Sequence, residues 1–262
     1  MISALNLLSG LGMMAVAIIA IFYWRRKKHT KAVYFAAGAL FWVVAIAIKL
    51  IMDLTISTSL YKWLGGALPI DAAVLATGLY LGLRTGILEN GAVYFGTLYT
   101  RLKNMSFDDA VAVGIGFGGI EALLLGALSL LNVIVFMLQP TLFMMLPAST
   151  QQQFELSFIP IPIIERLAVL FAHVFATVLT IYAVKLADLK WLLIAVVYKT
   201  LIDGPLPLFT HYLGYLGISM YYLVEAYLIV LAVIGLAGLY WFGKKYGGAA
   251  PAPEAGIADT GH

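Results

Sequence analysis

Seven long apolar runs, one after another, constrain this chain more than any other feature. A helix needs roughly 20 apolar residues to cross the hydrocarbon core of a bilayer. The runs fall at about residues 2–24, 32–52, 68–100, 110–138, 161–184, 191–209 and 216–242. Each is continuous rather than alternating, which excludes a membrane β-barrel and leaves helices that satisfy their own backbone polar groups. Composition agrees: 63% of the 262 residues are hydrophobic and only 11% are charged, more apolar surface than a soluble domain of this length buries. The expected fold class is all-α, a polytopic membrane protein of about seven transmembrane helices. Residues 1–246 form one helical domain. The small, Pro-containing tail over 247–262 reads as disordered, with His262 an incidental terminal residue. The third run is long for one crossing, so it either tilts or breaks near Gly86 or Gly91.

The first run is too long for a cleavable signal peptide, and its positive cluster follows it instead of preceding it. Basic clusters occur at Arg25 to Lys31, at Arg101 and Lys103, at Lys185 and Lys190, and at Lys244 and Lys245. With seven spans all four fall on one side, which the positive-inside rule makes cytoplasmic. The N-terminus is then outside and the C-terminus inside. The longer outside loops are 53–67 and 139–160. The second contains Pro140, Pro147 and Pro160, a pattern compatible with a short interfacial helix. A net charge of +3 spread over short loops gives no support for nucleic-acid binding; lipid is the expected surrounding partner. There is no cysteine, hence no disulfide framework and no thiolate chemistry.

Ionisable residues inside the runs are the functional signal. Counted at about 1.5 Å per residue from the cytoplasmic clusters, Glu89, Glu121, His173, Lys199 and Asp203 lie roughly 13 to 20 Å deep. Groups at that depth are costly unless they face the bundle interior and find partners. Four helices supply them, so a single polar cluster is expected. Lys199 and Asp203 are spaced i and i+4 and share one helix face. They either fix helix register or serve a site. Gly204, Pro205 and Pro207 weaken the helix just beyond them. Glu121 follows a glycine patch, Gly114, Gly116, Gly118 and Gly119, which lets a neighbouring backbone approach. His173 bonds a neighbouring helix or ligates a metal. Arg84, further out than Glu89, offers a second positive charge. Glu165 and Arg166 sit near the outer interface and are expected to be partly solvated. Asp71 reads as a helix start and Glu225 as a packing contact.

Four stretches, "LENGAVY" at 88–94, "GIGFGGIEALLLG" at 114–126, "ERLAVLFAHVF" at 165–175 and "KTLIDGP" at 199–205, together resemble the YhfC-type intramembrane metalloproteases, relatives of the CAAX-processing and PrsW-like membrane proteases. The resemblance implies an integral protein of a prokaryotic plasma membrane and a zinc-dependent peptidase in which a glutamate activates water. In that family the motifs read Glu-Glu-x-x-Arg, Gly-His-Gly-Gly-x-Glu, a His after Glu-Arg, and His-x-x-x-Asp. Here Glu89 matches the first glutamate, but Asn90 and Val93 stand at the next glutamate and the arginine. Phe117 stands at the glycine-flanked histidine, and Lys199 replaces the histidine before Asp203. Glu121, His173 and Asp203 are kept. Phe cannot ligate a metal and a protonated lysine repels one.

The preferred reading is therefore a non-catalytic relative that binds lipid or a transmembrane helix of another protein. It takes no cofactor, because the Lys199 ammonium replaces the metal's charge among Asp203, Glu121 and Glu89. The first alternative is an active protease with an altered zinc site, with His173, Glu121 and Asp203 as ligands and Glu121 or Glu89 as the catalytic carboxylate. Others are a transporter or channel component using the charges as a relay, and a retinal-type photoreceptor built on the buried lysine.

Overall fold

A helix in lipid must close all its own hydrogen bonds, and this chain does so with few interruptions. The computed structural model describes residues 3–248, so beyond Gly248 the tail read over 247–262 lies outside the described residues. Seven helices are long and apolar enough to cross a membrane: Ala4–Lys28, Ala32–Ala67, Ile70–Leu98, Phe107–Leu138, Leu156–Lys185, Lys190–Leu216 and Ile218–Tyr246. Among the described residues there is no strand. The α-helices are α1 (Leu7–Lys28), α2 (Ala32–Met52), α3 (Thr58–Ala67), α4 (Ile70–Leu98), α5 (Phe107–Leu138), α6 (Pro140–Met144), α7 (Ala148–Gln152), α8 (Pro160–Lys185), α9 (Lys190–Asp203), α10 (Leu206–Leu213) and α11 (Ile218–Tyr246).

One of the two loop expectations needs correction. Residues 53–67 are helix, not loop: a π-turn at Asp53–Ser57 joins α2 to α3 without a break. The polar residues that suggested a loop are satisfied sideways against α4. Asp53 accepts from Arg84, and the Ser57 hydroxyl lies 2.8 Å from that of Tyr80. The segment 139–160 carries two short helices, α6 and α7, and a 3-10 turn at Leu156–Phe158. Pro140 and Pro160 sit at the first turns of α6 and α8, where a missing N–H costs nothing.

α4 runs unbroken through Gly86 and Gly91. Gly78, Gly82 and Gly86, one turn apart, face α9. A Cβ on Gly82 would come within 2.5 Å of the Thr200 carbonyl oxygen, and one on Gly86 within 2.6 Å of that of Val196. The glycines therefore form a close-packed seam of the small-xxx-small kind. Glu89, three residues beyond Gly86, turns the same way. On α5, Gly114 and Gly118 face α8 at Val174 and His173, and Gly116 faces the Phe35 backbone of α2. Glu121, three beyond Gly118, is delivered towards α8.

α8 is the buried axis of the bundle: 83% of its apolar window is buried, against 17% to 28% for the other six spans. One end of the bundle gathers the C-terminal ends of α1 and α8 and the start of α5. Lys28 pairs with Asp108 at 3.1 Å, the Trp24 indole donates to the Asp108 carbonyl at 2.9 Å, and Lys185 donates to the Met105 carbonyl at 2.7 Å. Ser106 and Asp109 form a reciprocal capping box that starts α5 at this end.

Candidate functional site

The two glycine seams and the buried α8 bring five helices within reach of one polar chain. Glu89 on α4 is 3% exposed. It accepts from Lys199 of α9 at 2.5 Å through Oε2 and from Lys49 of α2 at 2.6 Å through Oε1. Lys199, 2% exposed, also donates to Nδ1 of His173, and its ammonium lies 5.1 Å from the centre of the Phe117 ring. His173 Nε2 stands 2.8 Å from Glu121 Oε2. Glu121 in turn accepts from Arg166 at 2.5 Å and from the Trp42 indole at 3.1 Å. Arg166 reaches on to Glu165.

The donors fix the histidine tautomer. An ammonium has only protons to offer, so Nδ1 accepts from Lys199. Nε2 then carries the ring proton and donates it to Glu121. Charges alternate along the chain from Lys49 through Glu89, Lys199, His173, Glu121 and Arg166 to Glu165, so each charge is met by a partner, as low-dielectric burial requires.

Thus Glu89, Glu121, His173 and Lys199 come together. Two expected pairings do not hold. Lys199 bonds Glu89 and His173 rather than Asp203 or Glu121. Asp203 lies at the end of α9 beside Thr85 and makes no ion pair among the described residues. An i and i+4 spacing puts two side chains on one face, but α8 and α4 offer Lys199 closer acceptors. Arg84 is not part of the cluster: it is held by Asp53 and by Ser57 at 3.1 Å, against Tyr80. The π-turn brings Asp53 back over α4 and captures it.

Arg166 and Lys49 are the residues that the depth count missed. Arg166 is 7% exposed, not partly solvated at the interface. Backbone depth is a property of Cα atoms, whereas Lys and Arg stems extend several ångströms and here reach inward, the reverse of snorkelling. A mid-membrane carboxylate without a cation on its own helix was the available signal. Asn90 faces away from the chain, its Oδ1 accepting from Thr180 at 2.9 Å and its amide donating to the Gly86 carbonyl at 2.7 Å. Glu225, read as a packing contact, is buried on the wall of the adjoining cavity.

That cavity, of about 320 Å³, runs from Lys49, Glu89 and His173 towards Thr210 and Tyr221 near the far ends of α10 and α11. Its donors do not suit a zinc ion. Both nitrogens of His173 are engaged, one against an ammonium. Glu121 is committed to a guanidinium, an indole and an imidazole, and Asp203 touches neither His173 nor Glu121. No three His, Cys, Asp or Glu side chains among the described residues converge as a metal site would require.

A family model described as YhfC intramembrane metalloprotease matches residues 12–230, a stretch that contains every residue of the polar chain. No curated protein and no solved structure matches the chain.

Proposed function

The chain belongs to the YhfC intramembrane metalloprotease family, and from that premise we propose that it is a non-catalytic member whose polar centre serves binding instead of peptide hydrolysis. The observation that carries this reading is the placement of Lys199. Its ammonium sits between Glu89 and His173, where it supplies a positive charge that a divalent ion would otherwise bring. Metal-assisted hydrolysis needs an ion with an open position, so that bound water is acidified and the scissile carbonyl polarised. Lysine offers neither a lone pair to such an ion, while protonated, nor a Lewis acid in its place. Phe117 closes the neighbouring side with an apolar ring over the ammonium.

On this reading the cavity is a ligand pocket reached from the end of the bundle opposite Lys28, Lys185 and Lys244. Lipid or a transmembrane helix of another protein is the expected class of partner. The gathering of basic residues at one end supports a cytoplasmic face there, in a plasma membrane. The test is a cleavage assay with transmembrane-helix peptides in detergent and in lipid, with and without added zinc. No zinc-dependent cleavage is expected from the protein or from Lys199→His. Cleavage that a chelator abolishes would overturn the reading.

A further inference from the structure

Glu225, on α11, is the buried acidic group that the polar chain does not use. It is 4% exposed, it lines the cavity, and its Oε2 has no hydrogen-bond partner among the described residues. A buried carboxylate oxygen left without a donor is costly, and an occupant that supplies one recovers that cost. The charge balance of the cavity points the same way. Its three cations, Lys49, Arg166 and Lys199, are already bonded to Glu89, Glu121 and Glu165. Asp203 and Glu225 remain, neither with an ion pair among the described residues. The empty part of the cavity thus faces two carboxyl groups without a cation, and its wall beside Glu225 is apolar: Met220, Val224 and Leu228.

We propose that this arm of the cavity binds a protonated primary amine carried on an apolar chain. The ammonium is seated on Glu225 and favours its ionised form, Asp203 supplies the second carboxyl, and Met220, Val224 and Leu228 receive the chain. An inorganic divalent ion fits worse, because it needs several converging oxygens that the described residues do not bring together. A quaternary ammonium would call for an aromatic cage, and among the described residues Tyr221 is the one Phe, Tyr or Trp side chain on this wall. The proposal rests on the reading of the polar chain as a permanent charge network, since a metal in place of Lys199 would change the balance. The same ammonium chemistry comes from a free amphiphilic amine or from an ethanolamine headgroup.

The experiment uses the full-length protein in detergent, with octylammonium as the probe and octanol as its uncharged match. Saturable binding of octylammonium but not octanol is expected. Glu225→Gln weakens it by at least about tenfold, as loss of a buried charge contact does, and Asp203→Asn weakens it less. Glu225→Gln replaces an unpartnered buried carboxyl with a neutral group of the same shape, so the ligand-free variant melts close to the parent, which separates lost binding from lost fold. Absence of saturable octylammonium binding, or equal affinity in Glu225→Gln, overturns the proposal. Nanodiscs distinguish the source. Stabilisation by phosphatidylethanolamine over phosphatidylcholine that Glu225→Gln abolishes supports the headgroup, and octylammonium binding without that lipid effect supports a free amine. Zinc-dependent cleavage by the same preparation would overturn the non-catalytic reading, whereas failed amine binding without cleavage overturns only this one.

Discussion

Lys199 Nζ lies 2.5 Å from Glu89 Oε2, joining two helices whose residues stand 110 positions apart in the chain. Both groups are buried, so Lys199 depends on Glu89 for its charge, and Glu89 on Lys199 together with Lys49. Lys199→Ala leaves Glu89 with Lys49 alone and His173 Nδ1 without a donor. Breaking a buried pair costs about 3–5 kcal/mol. A clear fall in melting temperature is expected in detergent, and an unchanged melting temperature would contradict the pairing.

Arg166 and Glu121 make the second pair, and a double-mutant cycle isolates it. Arg166→Met alone should destabilise by about 2–4 kcal/mol, because Glu121, only 17% exposed, loses its cation. Adding Glu121→Gln removes the unpaired charge and recovers part of the loss. A coupling on the order of 1–3 kcal/mol between the two changes is expected. Strict additivity would mean that the contact carries no energy.

The glycine seam of α4 predicts a contrast between two positions on one helix. A side chain at Gly82 meets the Thr200 carbonyl, so Gly82→Val pushes α9 away and costs about 1–3 kcal/mol or more. At Gly91 an added Cβ has nothing within 4 Å. Gly91→Ala should be neutral or slightly stabilising, by up to about 1 kcal/mol, through helix propensity. Equal effects at both positions in a thermal-stability assay would remove the seam from the account.

Arg84 provides the internal control. Its partner Asp53 has a side chain that is 44% exposed, so the pair is only half enclosed by protein. Arg84→Gln should cost no more than about 1 kcal/mol, in the range of exposed pairs. It should also leave the Lys199→Ala effect unchanged, since the two share no partner. Strong coupling in a double-mutant cycle would return Arg84 to the central chain.

The helical class and the seven crossings were legible from apolar run length alone, because lipid leaves the backbone no alternative. The convergence of Glu89, Glu121, His173 and Lys199 was legible too, because their depths matched. The partners were not. Which carboxylate takes Lys199 depends on how closely α4 and α9 approach, and that is set by Gly78, Gly82 and Gly86, of which only Gly86 stands out in the sequence, and there as a possible break. Lys49 and Arg166 were missed because their backbone positions lie nearer the interfaces while their side chains reach inward. The π-turn that carries Asp53 to Arg84 has no sequence pattern of its own, and polar residues after an apolar run read as a loop.

The most direct measurement is the zinc content of the purified protein after equilibration with excess zinc and removal of unbound metal. With the Lys199 ammonium holding Glu89 and His173, the content should stay far below a zinc ion per chain and should not change after a chelator. A tightly held zinc ion in each chain, lost to the chelator and lost when His173 is replaced by Ala, would contradict the account.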